Sequence, residues 1–379
     1  MKPDRALRIG MMIGGLGTGG TERQLIRLAR AMADRGHTVG VWLYGASTSD
    51  PRLDVAGITV RTGNSRSWRE KIRATRAWYE EFRPDLVHGF MKRASSLAVL
   101  ASPVRRGFTI LGSDLSTATY ARGRLILWPS LAAFRLADGV VTQTDLNRRS
   151  LERLAPWLRG RVHVVRNGVD TQSFAPRAGP TGPRSEPLFR FACVGTVYEL
   201  KNPVRMVRAI AELRDAGVPP FHVDWYGRMG LTGDHEPSAA FREAKALTGT
   251  LDVEDLITFH GETRPIQPAY HGADALIHPS IQEGFPNAVV EGMACGLPVV
   301  VGRVSDLPLV VEGARNGYVF DESDPSSIAD SMARMIRTSA AERQAMGERS
   351  RELAVDWFGM ERFVDEFEAL YRRLIANRR

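Results

Sequence analysis

Two glutamates frame the start of a short predicted helix in the second half of the chain. Glu283 precedes the helix, and Glu291 lies inside it with seven residues between the two. The helix is predicted to begin at Pro286 and to end before Gly296, about three turns later, because proline favours a first helical position and glycine ends helices. Its amide groups and the positive end of its dipole form a seat for an anion, while the carboxylates suit the hydroxyls of a polyhydroxy ligand. The residues of this seat are Gly284, Phe285, Pro286 and Asn287.

A second seat for an anion is predicted near the start of the chain. The apolar run at residues 7–13 shows no polar alternation, as expected for a strand buried on both faces of a parallel sheet. A glycine-rich loop follows at residues 14–20, and residues 21–24 have the spacing of a capping box, which predicts a helix behind the loop. A strand, a glycine loop and a helix in this order typically bind phosphate groups.

The glycine loop leaves another class of protein open. Gly15, Gly17 and Gly20 match the G-x-G-x-x-G pattern of dinucleotide-binding domains, which would suit an NAD(P)-dependent oxidoreductase. Such proteins need an acidic residue after the next strand to hold the ribose of the cofactor. The strand predicted at residues 38–44 is followed by Gly-Ala-Ser instead, so the oxidoreductase is the weaker alternative.

Strands alternate with helices along the chain, which predicts doubly wound α/β sheets with parallel strands. A chain of 379 residues is too long for one ordinary core and suits two domains. Residues 175–187 are rich in proline and glycine and have no periodic apolar face, as in a linker. The predicted domains are therefore residues 1–174 and 188–357. Apolar positions at helical spacing predict a helix at residues 68–82, and the second domain is predicted to open with a buried strand at residues 189–194. After residue 305 the sequence predicts turns and two helices.

The motif around the two glutamates resembles the signature of glycosyltransferase family 4. Residues 279–300 contain, in order, Pro-Ser, Glu-Gly-Phe-Pro and Glu-Gly-Met-Ala-Cys-Gly-Leu-Pro-Val-Val. The resemblance implies a retaining enzyme that uses a nucleotide sugar and has a GT-B fold, in which two doubly wound Rossmann-like domains face each other across a cleft that holds the site. It also implies that a C-terminal helix, residues 358–377, packs back on the first domain.

The same resemblance assigns roles in the second domain. Glu283 is expected to contact the donor sugar, and Glu291 the ribose of the nucleotide. Lys201 corresponds to one of two basic residues that neutralise the donor diphosphate, so it is a catalytic candidate together with Glu283. Thr196, a donor-side candidate by its place in the same loop, stands where the family has the other basic residue, an arginine. The residues considered as substitutes for that missing charge are Arg228, Arg264 and an arginine of the first domain.

The resemblance is less complete in the first domain. Residues 19–23 resemble the family's N-terminal loop, which approaches the donor phosphates and the acceptor. His88 lies at the C-terminal end of a predicted strand, where open α/β sheets place ligand contacts, and is the third catalytic candidate. Many members carry a further histidine after the following strand, but residues 109–114 read Thr-Ile-Leu-Gly-Ser-Asp. The donor-side candidates here are Gly19 and Gly20, and the acceptor-side candidates are Gly17, Glu22 and His88.

Charge is distributed unevenly along the chain. Residues 1–185 carry 30 Lys+Arg and 14 Asp+Glu, a net charge of +16, whereas the remainder carries 21 and 29, a net charge of −8. Basic and aromatic residues are concentrated at residues 66–82 and 120–137. A basic first domain suits an anionic membrane surface or a lipid-linked acceptor, although a soluble acidic acceptor fits the same charge. No nucleic acid is expected as a partner, because the chain carries no recognisable nucleic-acid-binding motif.

The remaining composition indicates a cytoplasmic enzyme that requires no metal, and it leaves open a peripheral place at the inner face of the cell membrane. Cys193 and Cys295 have neither metal-ligand spacing nor a disulfide framework, and the chain starts without the apolar segment of a signal peptide. No Asp-x-Asp motif occurs, so no cofactor is expected beyond the nucleotide-sugar donor. The expected reaction is sugar transfer to a hydroxyl of a glycan or lipid-linked acceptor, in cell-envelope or exopolysaccharide synthesis. A sugar-nucleotide-binding protein without activity remains the alternative because of Thr196.

Overall fold

The computed structural model describes residues 5–17, 19–45, 50–115, 128–177, 188–230 and 236–378. The chain folds into two compact units, Met1–Gly168 with Glu361–Arg379, and Val169–Met360. It therefore leaves the first unit after residue 168 and returns to it at residue 361. The sequence places the first boundary at residue 174, and residues 178–187 of the predicted linker lie outside the described residues.

Seven parallel strands form the sheet of the first unit within its described residues. They are β1 (Arg8–Ile13), β2 (Thr38–Leu43), β3 (Ile58–Thr62), β4 (Leu86–Gly89), β5 (Thr109–Asp114), β6 (Gly139–Thr142) and β7 (Val162–Val164), in the spatial order β3-β2-β1-β4-β5-β6-β7. The helices between them are α1 (Gly20–Asp34), α2 (Trp68–Phe82), α3 (Met91–Ala101), α4 (Trp128–Leu136) and α5 (Asp145–Leu154). The strand order reverses between β1 and β4, and open α/β sheets bind ligands at such a switch point.

The described residues of the second unit repeat this architecture with six parallel strands. They are β8 (Phe189–Val194), β9 (Phe221–Tyr226), β10 (Ile257–Gly261), β11 (Ala275–His278), β12 (Val299–Gly302) and β13 (Gly317–Phe320), in the order β10-β9-β8-β11-β12-β13. The helices are α6 (Pro203–Asp215), α7 (Ala239–Thr250), α8 (Gln267–His271), α9 (Asn287–Ala294), α10 (Leu307–Ala314), α11 (Pro325–Arg337) and α12 (Ala340–Phe358). Here the switch point lies between β8 and β11.

Aromatic rings of α2 lie directly on the first sheet. Trp78 and Phe82 stack with 5.5 Å between ring centroids and 4° between ring planes. A side chain at Gly10 would collide with Trp78, and one at Gly40 would collide with Phe82. Glycine in β1 and β2 therefore lets the helix approach the sheet closely. Both strands are almost fully buried, as predicted for strands covered on both faces.

The last helix, α13 (Met360–Arg378), belongs with the core of the first unit. It begins at Met360 rather than at residue 358, because α12 extends to Phe358 and Gly359 separates the two helices. The hydroxyl of Tyr371 forms a hydrogen bond of 2.8 Å with His88 of β4. The buried apolar residues of α13, at the predicted helical spacing, are Phe363, Phe367, Leu370 and Leu374.

The capping box predicted at the start of α1 does not form. The helix begins at Gly20, with extended Gly19 as its cap and no side-chain capping bond. Thr21 therefore lies inside the first turn, where its side chain is not placed to cap the helix. Gln24, the other half of the predicted box, donates a hydrogen bond of 3.0 Å to the carbonyl of Gly168 instead.

Two predictions in the second unit are wrong in length or type. Helix α9 has eight residues rather than about three turns. Pro286 is still extended before the helix, and Gly296 adopts a left-handed φ of 81° shortly after it. The helix therefore begins later and ends earlier than predicted. The segment after residue 305, predicted as turns and two helices, contains α10, β13, α11 and α12 before α13. Strand β13 has only four residues and is recognisable mainly from its pairing with β12.

Candidate functional site

Two loops meet at the switch point of the second unit. The first follows β8 and contains a 3-10 turn at Glu199–Lys201, and the second follows β11 and leads into α9. Asn202 ties them together from a left-handed conformation with a φ of 61°. Its side-chain nitrogen donates to the carbonyls of Pro279, at 3.1 Å, and Glu322, at 2.8 Å. The loops are also joined by the amide of Ile281, which donates to the carbonyl of Leu200 at 3.0 Å.

This arrangement brings two of the three predicted catalytic residues together. The ammonium of Lys201 forms an ion pair with the carboxylate of Glu283. His278, at the end of β11, contacts the same carboxylate oxygen through Nε2 at 2.9 Å. The side chains of Lys201 and Glu283 keep exposed fractions of 17% and 14%, whereas that of His278 keeps 2%. The pair therefore retains limited access to solvent above a buried histidine.

The electrostatics favour an ionised Lys201–Glu283 pair. Burial by itself would raise the pKa of Glu283, but the Lys201 charge and the contact with His278 outweigh burial and lower that pKa well below its usual range. Burial by itself would lower the pKa of Lys201, yet the nearby carboxylate raises it. Burial lowers the pKa of His278, so the ring is neutral near pH 7 and donates Nε2–H to Glu283. The cluster thus holds one positive and one negative group.

The start of α9 is shaped by packing as well as by hydrogen bonds. The hydroxyl of Ser305 donates to the carbonyl of Gly284. The ring of Phe285 stacks on Phe358, with 5.1 Å between centroids and 22° between planes. Pro286 precedes the first helical residue and has no N–H, so the amides that this seat can offer are those of its neighbours, including half-buried Asn287.

Glu291 lies inside α9 and is 2% exposed. The hydroxyl of Tyr270 is 3.1 Å from its Oε2 atom and 3.3 Å from the carbonyl oxygen of Ala288. Tyr270 is fully buried, so this contact fixes the orientation of the Glu291 carboxylate. A ligand hydroxyl that reached Glu291 would meet an acceptor that is already oriented.

Thr196 leaves the predicted basic pair incomplete, and the structure locates both named substitutes. Arg264 is exposed and forms an ion pair of 2.7 Å with Glu262. The carbonyl of half-buried Arg228 accepts a hydrogen bond of 2.7 Å from the amide of Val197, next to Thr196. The backbone of Arg228 is therefore attached to the loop in which the charge is missing, whereas the guanidinium of Arg264 already has a partner.

A cavity of about 710 Å³ lies at the switch point of the first unit. Glu22, a predicted acceptor-side residue, lines it. A side chain at Gly19 would collide with the Glu22 carboxylate, and one at Gly17 would come within 4.0 Å of it. The glycine loop therefore makes room for Glu22 at the start of α1. The other charged residues of the lining are Lys71, Lys92, Arg93 and Asp114.

His88, the third predicted catalytic residue, is fully buried beneath this region. Its Nε2 lies 2.7 Å from the hydroxyl of Ser113, and its Nδ1 lies 2.8 Å from that of Tyr371. Burial lowers the pKa of His88 to about 3, so the ring is neutral. This placement corrects the expectation of a ligand contact, because both ring nitrogens are occupied by protein hydroxyls. His88 is arranged to hold β5 and α13 in position.

Comparison with known proteins identifies the family. The model for Glycosyltransferase Family 4 matches residues 18–173, and the model for Glycosyl transferases group 1 matches residues 189–338. The chain belongs to glycosyltransferase family 4. These matches cover both units and give no support to the oxidoreductase alternative.

Curated relatives of this family 4 chain include two named for inositol phosphate. The D-inositol 3-phosphate glycosyltransferase of Mycolicibacterium smegmatis is 29% identical over 64% of this chain and 54% of the relative. D-inositol 3-phosphate glycosyltransferase 2 of Catenulispora acidiphila is 28% identical over 84% of this chain and 82% of the relative. The alignment with the first of these relatives thus spans only about half of that relative's length.

Solved structures with the same fold cover nearly all of this family 4 chain. Sucrose-phosphate synthase from Thermosynechococcus elongatus gives a TM-score of 0.79 at 20% identity, over 97% of this chain and 99% of that structure. Anabaena HepE in complex with UDP and glucose gives 0.81 at 17% identity, over 96% and 99%. At these identities the likeness shows the fold alone. That fold is GT-B, as predicted, with two Rossmann-like domains that are each built on a sheet of parallel strands.

Several site residues of this family 4 chain lie outside the sequence prediction. Tyr270 orients Glu291, and Asn202 joins the loops that carry Lys201 and Glu283. The role of Asn202 depends on its left-handed backbone, which the sequence does not reveal. His278 precedes the recognised motif by one residue and could have been singled out as a polar residue ending a buried strand. Within the described residues, no helix combines the length and apolar character of a membrane span, and no group of three or more His, Cys, Asp or Glu is arranged to hold a metal.

Proposed function

We propose that this chain is a retaining glycosyltransferase that moves a hexose-type sugar from a nucleoside-diphosphate sugar to a hydroxyl of a glycan or lipid-linked acceptor. The observation that carries the proposal is the Lys201–Glu283 pair beside the start of α9, at the switch point of the second unit. A cation, helix amides and an oriented carboxylate at one place suit a donor that joins a diphosphate to a polyhydroxy ring.

The proposed reaction uses these groups in sequence. The bond between the anomeric carbon of the sugar and the diphosphate oxygen breaks, and the leaving diphosphate gains negative charge. The Lys201 ammonium and the dipole of α9 stabilise that charge. The bond from the anomeric carbon to the acceptor oxygen forms, and the acceptor proton passes to the departing phosphate oxygen. Glu283 orients the sugar through its hydroxyls, and Glu291 orients the ribose of the nucleotide.

The resting ion pair has a direct consequence for this mechanism. Lys201 is engaged with Glu283 in the structure, so a donor diphosphate would share its ammonium with that carboxylate. Glu283 keeps His278 as a second donor, at 2.9 Å, and remains stabilised when Lys201 turns towards phosphate. Because Lys201 supplies the positive charge, the proposal requires no metal ion. Arg228 is the proposed source of the charge missing at Thr196.

In the first unit, we assign the acceptor side to Gly17 and Glu22, with His88 as a positioning residue rather than a ligand contact. The donor-side assignment of Gly19 and Gly20 rests only on the resemblance, because the Glu22 carboxylate lies against Gly19. The second unit by itself provides the donor groups described above.

The proposal extends to a biological setting. The net charge of +16 in residues 1–185 suits peripheral attachment to an anionic membrane surface. A neighbour of the same fold, WaaG, is named for a part in lipopolysaccharide biosynthesis. We place the enzyme in the cytoplasm at the inner face of the cell membrane, in the synthesis of an envelope glycan or exopolysaccharide.

A panel of nucleotide sugars tests the proposal. Thermal unfolding is measured with UDP, GDP and ADP sugars, and release of the nucleotide is measured with the same compounds. One nucleotide class should raise the unfolding temperature by mass action, and its sugar should be hydrolysed slowly or transferred. Stabilisation without turnover across a broad acceptor panel would favour the inactive binding protein. No stabilisation by any nucleotide sugar would contradict the donor assignment.

A further inference from the structure

Two cations that line the cavity of the first unit have no carboxylate partner among the described residues. Lys71 of α2 and Arg93 of α3 both line the cavity, and neither takes part in an ion pair with the described residues. Lys92 differs from them, because its ammonium lies 3.2 Å from the carboxylate of fully buried Asp114. Of the three cations in the lining, Lys92 is therefore paired with a carboxylate, whereas Lys71 and Arg93 can pair with an anionic ligand.

Glu22 also lines the cavity and contributes a carboxylate to it. Glu22 follows the glycine loop in the first turn of α1, and its carboxylate lies against Gly19, which caps that helix. A carboxylate near a helix N-terminus is favourably placed and repels a ligand phosphate from the same spot. It accepts hydrogen bonds from ligand hydroxyls. The start of α1 therefore suits a polyhydroxy group rather than an anion.

Large apolar side chains line the same cavity as the two cations. Trp68 and Met91 are both in the lining and keep exposed fractions of 48% and 49%. Met91 adopts a left-handed φ of 72°, a conformation that costs a non-glycine residue free energy and that clusters at ligand sites. The Lys71 ammonium lies 5.7 Å from the centre of the Tyr44 ring, which also lines the cavity.

We propose that the acceptor is a phosphorylated polyol or sugar, whose phosphate is held by Lys71 and Arg93. Its hydroxyls are directed to Glu22, and the apolar face of its ring packs on Trp68 and Met91. A lysine point charge and an arginine fork together match the near-double negative charge of a phosphate group. The inference rests on the proposed function, since it names the acceptor class of the same enzyme. A soluble sugar phosphate and a lipid-linked phosphate share this chemistry.

Matched ligands and matched variants test the proposal on the full chain. The ligands are hexose and cyclitol monophosphates, their unphosphorylated counterparts, and a short-chain lipid-linked sugar phosphate in detergent. The variants are Lys71→Gln, Arg93→Gln and the double variant, and Arg153→Gln serves as control because it is an exposed residue of α5 outside the cavity lining. Calorimetry measures ligand binding without any turnover, and initial rates give KM and kcat where transfer occurs.

The wild type should bind at least one phosphorylated ligand tenfold or more tightly than its unphosphorylated counterpart. The double variant should lose that preference through a higher KM, with little change in kcat or in acceptor-independent donor hydrolysis, while Arg153→Gln behaves as the wild type. Preference for the soluble or the lipid-linked compound identifies the source of the phosphate.

Equal binding of phosphorylated and unphosphorylated ligands by the wild type would overturn the proposal, as would an unchanged preference in the double variant. Failure of this acceptor proposal is distinguishable from failure of the proposed glycosyltransferase function. Absence of nucleotide-sugar binding and hydrolysis would contradict the glycosyltransferase mechanism, whereas phosphate-dependent binding at Lys71 and Arg93 is measured without any donor.

Discussion

At the scale of single residues, the Lys201–Glu283 pair decides how much charge meets the donor. The ammonium and the carboxylate neutralise each other while no ligand is bound. The negative charge that a leaving diphosphate gains then draws the ammonium more strongly than the less charged diphosphate of the intact donor does. An interaction that strengthens during the reaction lowers the barrier, whereas one of constant strength only aids binding.

Replacing Lys201 should therefore affect turnover more than donor affinity. For Lys201→Ala we expect turnover to fall on the order of 100-fold or more, the size typical of losing one group that stabilises developing charge. Glu283 retains the hydrogen bond from His278, which limits the damage to folding. Steady-state rates and unfolding midpoints are compared with those of Lys245→Ala, an exposed lysine of α7. Turnover within a few-fold of the wild type, in a folded variant, would mean that another residue neutralises the diphosphate.

Glu291 should act on nucleotide binding. Glu291→Ala removes an oriented acceptor for the ribose and should weaken nucleotide affinity on the order of 1 to 3 kcal/mol. The buried hydroxyl of Tyr270 keeps the carbonyl of Ala288 as an acceptor, so the variant is expected to fold. Calorimetric titration with the preferred nucleotide gives the affinity, and Glu243→Ala on α7 is the exposed control. Unchanged affinity would remove Glu291 from the ribose site.

The Lys201–Glu283 pair makes the stability of the folded protein depend on pH. The pKa of Glu283 is lower in the folded protein than its ordinary value of 4.5, so its contribution is complete above that value and is lost as the pH falls below it. The pKa of Lys201 is raised above 10.5, so its contribution is present below that value and is lost at still higher pH. Urea unfolding should show a steeper loss of free energy below pH 4.5 in the wild type than in Glu283→Gln. Parallel curves would mean that Glu283 is not specially stabilised.

At the scale of secondary-structure elements, α13 fixes the part of the first sheet that carries His88. Tyr371→Phe removes the hydroxyl that pairs with a buried ring nitrogen, so unfolding should become easier by about 1 to 3 kcal/mol. Turnover per folded molecule should stay within a few-fold if His88 is a positioning residue. Denaturant unfolding and acceptor kinetics are measured together, with Tyr318→Phe of the second unit as the control for loss of a hydroxyl. A large loss of kcat with unchanged stability would restore a direct catalytic role for His88.

The elements themselves were largely predictable from the sequence. Strand β8 and helix α2 have the predicted bounds, because a buried apolar run or an amphipathic repeat lies between clear boundary residues. The length predicted for α9 is too great because the backbone angles of Pro286 and Gly296 are set by packing rather than by residue type alone. Strand β13 was missed because a four-residue strand has no periodicity of its own.

The site was less predictable than the fold. The family resemblance identifies Glu283 and Lys201 in two separate loops, but their contact depends on Asn202, whose left-handed backbone joins those loops. His88 appeared ligand-facing because it ends a strand, whereas its burial depends on Tyr371, 283 positions away in the chain. Contacts over such distances leave no local pattern.

At the scale of the whole molecule, the basic character of residues 1–185 predicts reversible binding to anionic membranes. On α2, Arg69, Arg73 and Arg76 are exposed beside half-exposed Trp68, and the guanidinium of Arg76 also donates to the carbonyl of Ala101. Each basic residue near an anionic surface contributes roughly 1 kcal/mol, and salt screens that attraction. The second basic stretch, at residues 120–137, lies outside the described residues up to residue 127.

Vesicle co-sedimentation measures this binding. It should rise with anionic lipid, fall with added salt, and drop when all three α2 arginines are changed to glutamate. Reversal of three exposed charges of the second unit, at Arg208, Lys245 and Arg337, is the control and should have a smaller effect. Equal binding to neutral vesicles, or none to anionic vesicles at low salt, would direct attention to a soluble acidic acceptor.

The return of the chain to its first unit has a consequence for the order in which the protein is made. A ribosome completes the whole of Val169–Met360 as one continuous segment, whereas the first unit waits for residues from 361 onwards. The second unit can fold during translation, but β4 is made long before Tyr371 arrives to cover His88. The sheet that is synthesised first is therefore the one whose core closes last. Chaperones that bind exposed apolar surface would encounter this chain mainly through its earliest residues.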